Sequence, residues 1–262
     1  MKAKMNKLYI LSSGAGGTSY ITTQAVEAIN DSEVIVSYTK YAKELKELIV
    51  SKEVYTSGMT HEIDRCQQAI ESAKSGKTTC IVSNGDVNVF GMATLIVELI
   101  DEQNLWDDIE VVSIPGVTSF LAAASRVGAP VSQDFAVISL SDRLTDINMI
   151  DKRVKCALDG DFIIGIYNPK SKTRIKPYQN FLKALSQVDE KIAIIASNVG
   201  REKEKVTITN TTDLITQDIA HPDVSMSTLI MVCNSNTRLT KNGKVLTPRG
   251  YLKKYDMDGE LK

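Results

Sequence analysis

Short apolar runs alternate along the chain with longer stretches of helical spacing, the pattern of an α/β protein with largely parallel strands. The first run, residues 7–12, reads as a strand. It empties into the small-residue loop Ser13-Gly14-Ala15-Gly16-Gly17, after which a helix is predicted over 19–30. Further strands are predicted at 34–37, 54–56, 78–82 and 110–114, with helices at 41–49, 62–75 and 92–102 between them. Gly76 stands where a glycine ends a helix, and Pro115-Gly116 stops the strand before it. A second series begins near Ser119, with strands at 135–140, 162–167, 191–196, 206–211 and 229–233. Residues 238–246 read as a terminal hairpin around Asn242-Gly243, a pair suited to the positive φ angles of a type I′ turn. The boundary falls near 115–120, giving an N-terminal α/β domain over 1–117, a C-terminal α/β domain over 118–250 and a tail over 251–262. No Gly/Ser-rich or Pro-rich linker marks it.

Composition narrows the function more than the fold. Across 262 residues, Lys+Arg 31 against Asp+Glu 32 leaves a formal charge of −1, which advertises neither nucleic acid nor a membrane surface. Hydrophobic residues at 43% supply a core and exclude disorder, while the longest apolar run falls well short of the ~18 residues of a membrane span. The basic start is followed by only Leu8-Tyr9-Ile10-Leu11, too short for a signal peptide, so the expected compartment is the cytoplasm. Cys66, Cys80, Cys156 and Cys233 lie far apart, and the histidines are His61 and His221. That spacing gives neither a disulfide framework nor a metal site.

The informative chemistry sits where strands end, because ligands in α/β sheets gather at the carboxyl edge. Gly14-Ala15-Gly16-Gly17 follows a strand as a dinucleotide loop would. The third glycine of that fingerprint falls on Ser19, however, and Ser37-Tyr38 replaces its acidic residue, which disfavours an ordinary NAD site. Ser75-Gly76-Lys77-Thr78 imitates the end of a P-loop but has Glu71 at the first glycine and leads into a strand, so it reads as a helix cap. Asn84-Gly85-Asp86 offers close backbone approach and a carboxylate. Asp86 either accepts a ribose hydroxyl or faces a cationic centre, or makes an Asx turn that caps the next helix. Thr118 and Ser119 either bind a ligand carboxylate or cap a helix. Tyr167-Asn168-Pro169 and Asn198-Val199-Gly200-Arg201-Glu202 repeat the arrangement in the second half. The four positive charges of 170–176 either steer an anionic substrate or solvate a loop. No G-x-S-x-G and no paired histidine supports hydrolysis.

Read in order, these loops resemble the tetrapyrrole methylase family over about residues 7–250. Ser57-Gly58-Met59, residues 136–142, Tyr167-Asn168-Pro169-Lys170-Ser171, residues 198–202, Asn234-Ser235-Asn236-Thr237-Arg238 and Thr247-Pro248-Arg249-Gly250-Tyr251 look like its branch that methylates C17 of precorrin-3B or cobalt-factor III. The resemblance implies a class III fold of two α/β domains, with S-adenosyl-L-methionine (SAM) as cosubstrate in the interdomain cleft and S-adenosyl-L-homocysteine as product. It carries cofactor contacts onto Ala15, Asn84, Gly85, Asp86, Val89, Thr118, Ser119, Asn168 and Gly200, and assigns no metal. The substrate candidates are Tyr38, Ser141 and Asp142. Tyr38, Asp142 and Asp86 are also the candidate proton carriers for ring contraction, with none assigned as the catalytic residue. Two family prolines are absent, their positions being Ala15 and Val87.

The implied activity is methylation of C17 of a corrinoid precursor with contraction of the macrocycle, in cobalamin biosynthesis, by a cytoplasmic homodimer that binds neither nucleic acid nor membrane. A sister methylase acting at another ring position, a diphthamide- or ribosomal-RNA-modifying relative and a non-catalytic SAM or tetrapyrrole binder are the alternatives. A dehydrogenase stands further off.

Overall fold

Strand β1 (Asn6–Ser12) turns Leu8 and Ile10 to one side and Tyr9 and Leu11 to the other, and both sets are covered. The computed structural model that shows this describes residues 6–262. Two units divide at Ser119/Phe120.

The first unit continues through α1 (Thr23–Asp31), β2 (Val34–Tyr38), α2 (Thr39–Glu44), β3 (Glu53–Ser57), α3 (Glu62–Lys74), β4 (Thr79–Ser83), α4 (Ala93–Glu102) and β5 (Ile109–Ile114). Its sheet has the order β3-β2-β4-β1-β5 with every pairing parallel. One face packs Leu8, Ile10, Val34, Val36 and Ile81 against Cys66, Ala69 and Ile70 of α3 and Ile96 and Ile100 of α4. The other packs Leu11, Ile35, Cys80 and Val82 against Ala25, Ala28 and Ile29 of α1 and against Leu45 and Ile49. A parallel sheet covered on both faces needs nearly continuous apolar strands, and each large aliphatic side chain so buried contributes about 1.5–3 kcal/mol.

Two expectations about this unit change at their edges, and the helix cap expected at Gly76 is present. The helix expected over 19–30 is a 3₁₀ turn, Thr18–Tyr20, followed by α1, because Thr22 caps α1 by accepting the Ala25 N–H at 3.1 Å. The helix expected over 41–49 starts earlier and ends at Glu44, with turns beyond. Ser75-Gly76-Lys77 closes α3 in a Schellman motif, with the Gly76 N–H on the Ala73 carbonyl (2.9 Å) and the Lys77 N–H on that of Ser72 (3.4 Å).

The second unit holds α5 (Ser119–Val127, its first residue in the preceding unit), β6 (Gly128–Ala129), β7 (Phe135–Ser139), α6 (Ile147–Asp159), β8 (Ile163–Tyr167), α7 (Lys176–Leu185), β9 (Ile192–Ser197), β10 (Lys205–Asn210), α8 (Thr211–Gln217), β11 (Thr228–Val232), β12 (Arg238–Leu239), β13 (Val245–Leu246) and α9 (Tyr251–Lys254). Its main sheet has the order β10-β9-β11-β8-β7. The expectation of largely parallel strands fails here: only β7·β8 is parallel, and the pairs β11·β8, β11·β9 and β10·β9 are antiparallel. The seven residues between β9 and β10 are too few for a crossover, which takes a dozen or more, so the two strands form a hairpin. Because β11 runs opposite to both of its neighbours, β7, β8 and β9 still end at one edge. Ile164, Ile166, Ile195, Ile230 and Val232 pack on Ile150 and Val154 of α6 and on Tyr178, Phe181 and Leu182 of α7.

The terminal hairpin pairs β12 with β13, and β13 adds in parallel to β6. Its turn is not type I′. Gly243 alone has positive φ (77°), and its N–H donates to the Thr240 carbonyl at 2.9 Å, while the Thr240 N–H reaches the Lys244 carbonyl at 2.7 Å. That is a three-residue loop closed by a glycine in the left-handed region, the other common hairpin solution.

Candidate functional site

In the first unit the loops after β1, β4 and β5 share the carboxyl edge of the sheet and are sewn to one another. Gly14 and Gly85 form an antiparallel bridge, with N–H to carbonyl distances of 3.2 and 2.7 Å. The Asn84 Nδ2 adds a 2.6 Å bond to the Gly14 carbonyl. Asp86 sits at the centre. Its Oδ1 accepts the Asn88 N–H at 2.8 Å and its Oδ2 the Gly116 N–H at 2.9 Å, while its carbonyl accepts from Val89 at 3.1 Å. The helix-cap alternative for Asp86 is thereby corrected: α4 begins at Ala93, Met92 occupies its cap position, and no side chain caps it. Each Asp86 oxygen keeps a second lone pair for a ligand, but the carboxylate first of all builds the loop cluster.

The backbones here approach too closely for side chains. A Cβ on Gly14, whose φ is +79°, would lie 2.4 Å from the Tyr20 carbonyl oxygen. One on Gly116 would lie 2.4 Å from the Ser12 Cβ and 2.5 Å from the Gly85 oxygen. Thr118 follows this crossing, its Cα 3.9 Å from the position a Cβ on Gly85 would take, and Ser119 opens α5.

Of the two missing prolines, the one at Val87 has a local account. Val87 is 1% exposed and packs into the core between sheet and α4, and its N–H donates to the Oγ of Ser12, a fully buried serine, at 2.9 Å. That donor is one a proline lacks. Ala15 is likewise 1% exposed.

Tyr38 ends β2 and meets Tyr41 edge-on, with ring centroids 5.1 Å apart. Arg65 lies over it at 5.9 Å, 7% exposed, and donates to the Ser57 Oγ (2.9 Å) and the Gly58 carbonyl (2.7 Å). Glu62 lies 3.5 Å from its guanidinium.

In the second unit Asn168 follows β8 in the left-handed region (φ 51°), and its Nδ2 donates to the Ser139 Oγ at 3.0 Å. Ser141 lies after β7 with its N–H on the same Ser139 Oγ at 3.2 Å, and Asp142 follows it. The loop 198–204 is the β9–β10 hairpin connection, so no helix follows it. In it the Gly200 N–H donates to Glu204 at 2.7 Å, and Glu204 also accepts from Arg126 of α5 at 2.8 and 3.3 Å. The Arg126 guanidinium, joined by the Gly200 amide, holds the Glu204 carboxyl below the usual range against the opposing effect of burial. The amide of Phe120, in the first turn of α5, donates to the Tyr167 hydroxyl at 3.1 Å.

The basic segment does not present four charges to solvent. Lys170 turns to the carbonyls of Ile219 and His221, and burial lowers its pKa. Arg174 turns inward, leaving Lys172 and Lys176 exposed. Cys66, Cys80 and Cys233 are buried, and burial raises all three thiols, Cys66 and Cys233 to about 12, so they pack as small hydrophobes. Among the described residues no group of three or more His, Cys, Asp or Glu is placed to hold a metal, and no helix is long and apolar enough to cross a membrane. An open cavity of about 440 Å³ in the second unit is lined by Val131, Ser132, Gln133, Asp134 and Arg249, none of them a residue that the sequence singled out as a ligand contact.

Residues 7–215 match the family described as Tetrapyrrole (Corrin/Porphyrin) Methylases. The chain belongs to this family. This methylase is 41% identical over 252 residues to the "Probable cobalt-factor III C(17)-methyltransferase" of Methanocaldococcus jannaschii, covering 95% of this chain and 99% of the relative. It is 38% identical to the Salmonella typhimurium protein of the same name, covering 93% and 99%, and 34% identical to the "Precorrin-3B C(17)-methyltransferase" of a Sinorhizobium species, covering 93% and 96%. Among solved structures, that of the methyltransferase CobJ superposes with a TM-score of 0.84 at 28% identity, covering 93% of this chain and all of the other. Cobalt precorrin-4 methyltransferase CbiF shares the fold, with a TM-score of 0.65 at 20% identity over 87% of this chain and 94% of the other.

Three residues of this methylase do structural work at its loops that the sequence did not flag: Ser12, Arg65 and Glu204. Ser12 was readable in principle, as a polar side chain at the inward end of an apolar strand. The other two look like ordinary surface charges until their partners are known, and Arg174, flagged only as one of four basic charges, instead binds backbone carbonyls.

Proposed function

We propose that this methylase transfers the methyl group of S-adenosyl-L-methionine to C17 of cobalt-factor III, with contraction of the macrocycle and release of S-adenosyl-L-homocysteine, in cobalamin biosynthesis. The observation that carries the reading is full-length likeness, at 34–41% identity, to three proteins whose names all specify C17 methylation. The two more similar of the three are named for cobalt-factor III, which favours it over precorrin-3B.

What supports a cofactor at the loop cluster of the first unit is that Gly85 has only the Thr118 Cα, at 3.9 Å, near the position of a Cβ, which leaves its backbone open to close approach, and that Asp86 retains acceptor capacity. Ala15, Asn84, Gly85, Asp86, Val89, Thr118, Ser119, Asn168 and Gly200 are the proposed SAM contacts. Tyr38, Ser141 and Asp142 are the proposed substrate contacts. Displacement at a sulfonium carbon by an electron-rich ring carbon needs no protein nucleophile, so the residues act by orienting the partners in line and excluding water. The tied Asn84-Gly85-Asp86 loop orients; the short apolar residues Ala15, Val87 and Val89 keep its surroundings dry. The resemblance adds a homodimer and a cytoplasmic location, and light scattering at twice the chain mass tests the dimer.

The deciding experiment incubates the purified protein with SAM and either cobalt-factor III or precorrin-3B, and follows S-adenosyl-L-homocysteine and corrinoid mass. The expected result is product with cobalt-factor III carrying one added methyl group. SAM binding by calorimetry without S-adenosyl-L-homocysteine release from either substrate overturns the reading in favour of a binder.

A further inference from the structure

Arg174 stands out among the charged residues because its guanidinium, in a side chain only 11% exposed, is turned to backbone carbonyls. One terminal nitrogen donates to the Leu140 carbonyl at 2.6 Å and the other to the Asn168 carbonyl at 2.8 Å, with the Met226 sulfur 3.6 Å from the second. Its Nε faces Asp142 at 4.0 Å. Arg174 itself is presented by a closed turn: its N–H donates to the Ser171 Oγ at 3.0 Å, and the Ser171 N–H returns to its carbonyl at 3.0 Å. Two separate loops therefore meet on one planar fork. The loop after β7 leads directly from Leu140 into Ser141 and Asp142, and Asn168 starts the loop after β8. Asn168 has a left-handed backbone uncommon for a residue with a side chain, and it is fixed from both ends, its amide by Ser139 and its carbonyl by Arg174.

We propose that Arg174 is a positioning residue for corrinoid capture: it clasps the Ser141–Asp142 loop to Asn168 and so sets the spacing between the substrate contacts and this cofactor contact. The inference rests on the functional reading above and deepens it. A lysine keeps the charge but offers a single compact head, which cannot reach two divergent carbonyls in fixed geometry. The Asn168 side chain and the Ser141 N–H each keep a bond to the Ser139 Oγ, so loss of the clasp is felt first beyond Ser141, at Asp142 and the residues after it.

Arg174→Lys and Arg174→Ala are compared with wild type by SAM calorimetry, by KM and kcat for cobalt-factor III, and by thermal unfolding. The expected result is a KM raised at least tenfold in both variants, a smaller fall in kcat, SAM affinity within threefold, and recovery of Arg174→Ala on addition of methylguanidinium. A wild-type KM in Arg174→Lys overturns the proposal, and so does a KM that moves in step with SAM affinity and unfolding temperature. If Arg174→Ala does not fold, Arg174→Lys decides alone. Amide exchange needs no substrate: residues 142–145 should exchange at least tenfold faster in Arg174→Lys, and unchanged exchange refutes the clasp. A wild-type protein that is silent with cobalt-factor III refutes the functional reading instead, and the exchange result then stands by itself.

Discussion

The strand-end loops of the first unit are tied through backbone, and those of the second through charged side chains. Around Gly14, Gly85 and Gly116 the ties are amide to carbonyl, amide to hydroxyl and amide to a single carboxylate, and the chain crosses itself where no Cβ fits. Around Asn168 and Gly200 they run through Arg174 and the Arg126–Glu204 pair. The first arrangement is rigid and sterically unforgiving. In the second, the partly exposed Arg126–Glu204 pair is open to screening by salt and to titration.

The comparison breaks most sharply at the glycine crossing. Gly116→Ala and Gly14→Ala each force a Cβ within 2.4 Å of existing atoms, and over-packing of this kind costs about 1–3 kcal/mol. SAM affinity in each should fall more than a hundredfold by calorimetry, with a lowered unfolding temperature. Near-normal binding in either would mean that the loops give way and that the rigidity is not real.

Next comes the Val87–Ser12 bond. Val87→Pro restores the residue that the family resemblance implies, yet it removes the donor to a buried hydroxyl, at a cost of about 1–3 kcal/mol for the group left unpaired. The variant should be less stable and bind SAM more weakly. Adding Ser12→Ala should recover part of the loss, a non-additivity that denaturant unfolding of both single variants and the double reads directly. Independent, additive effects would place the proline difference in packing alone.

A smaller effect is expected at Asp86. Asp86→Ala removes both the Asn88 and the Gly116 tie, and SAM binding should weaken at least tenfold, about 1.4 kcal/mol. Since both partners are backbone amides, the change should be nearly independent of salt.

Smallest is Glu204→Gln, which retains an acceptor for the Gly200 N–H and removes only the charge; an ion pair of this exposure contributes about 0.2–1 kcal/mol. The sign follows from the lowered carboxyl. A group held below its ordinary value of 4.5 stabilises the fold above that value, and the contribution is lost as pH falls through the depressed one. The stability gap between wild type and variant should thus be present at pH 7, narrow in high salt, shrink as pH falls below 4.5 and vanish once pH has passed the depressed value. A gap that persists in acid would show that Glu204 acts through shape and not charge.

Continuous apolar runs made the first unit legible. Residues 7–12 and 34–37 read as strands, and the structure covers both of their faces. Strand positions in the second unit were as readable, but their directions were not. A strand's apolar pattern is the same whichever way it runs, and the place of β11 between β8 and β9 is a matter of long-range pairing. Local chemistry located Gly76 as a cap and Asn242-Gly243 as a turn, though not the type of turn, which the three-residue loop between Thr240 and Lys244 shows. The family was legible because loop motifs follow in a fixed order along the chain.

Hydrophobic period, turn residues and motif order, all local properties of neighbouring positions, therefore determined the α/β class, most element positions and the family from the sequence alone. Partnership needed the fold. That Ser12 holds Val87 75 residues away, that Asp86 holds Gly116, and that Arg174 leaves the solvent to bind Leu140 and Asn168 follow from which strand ends the sheets bring to one edge. A hydrogen bond is set by distances of about 3 Å, and a sequence of residue types carries no such distance until the sheets are assembled.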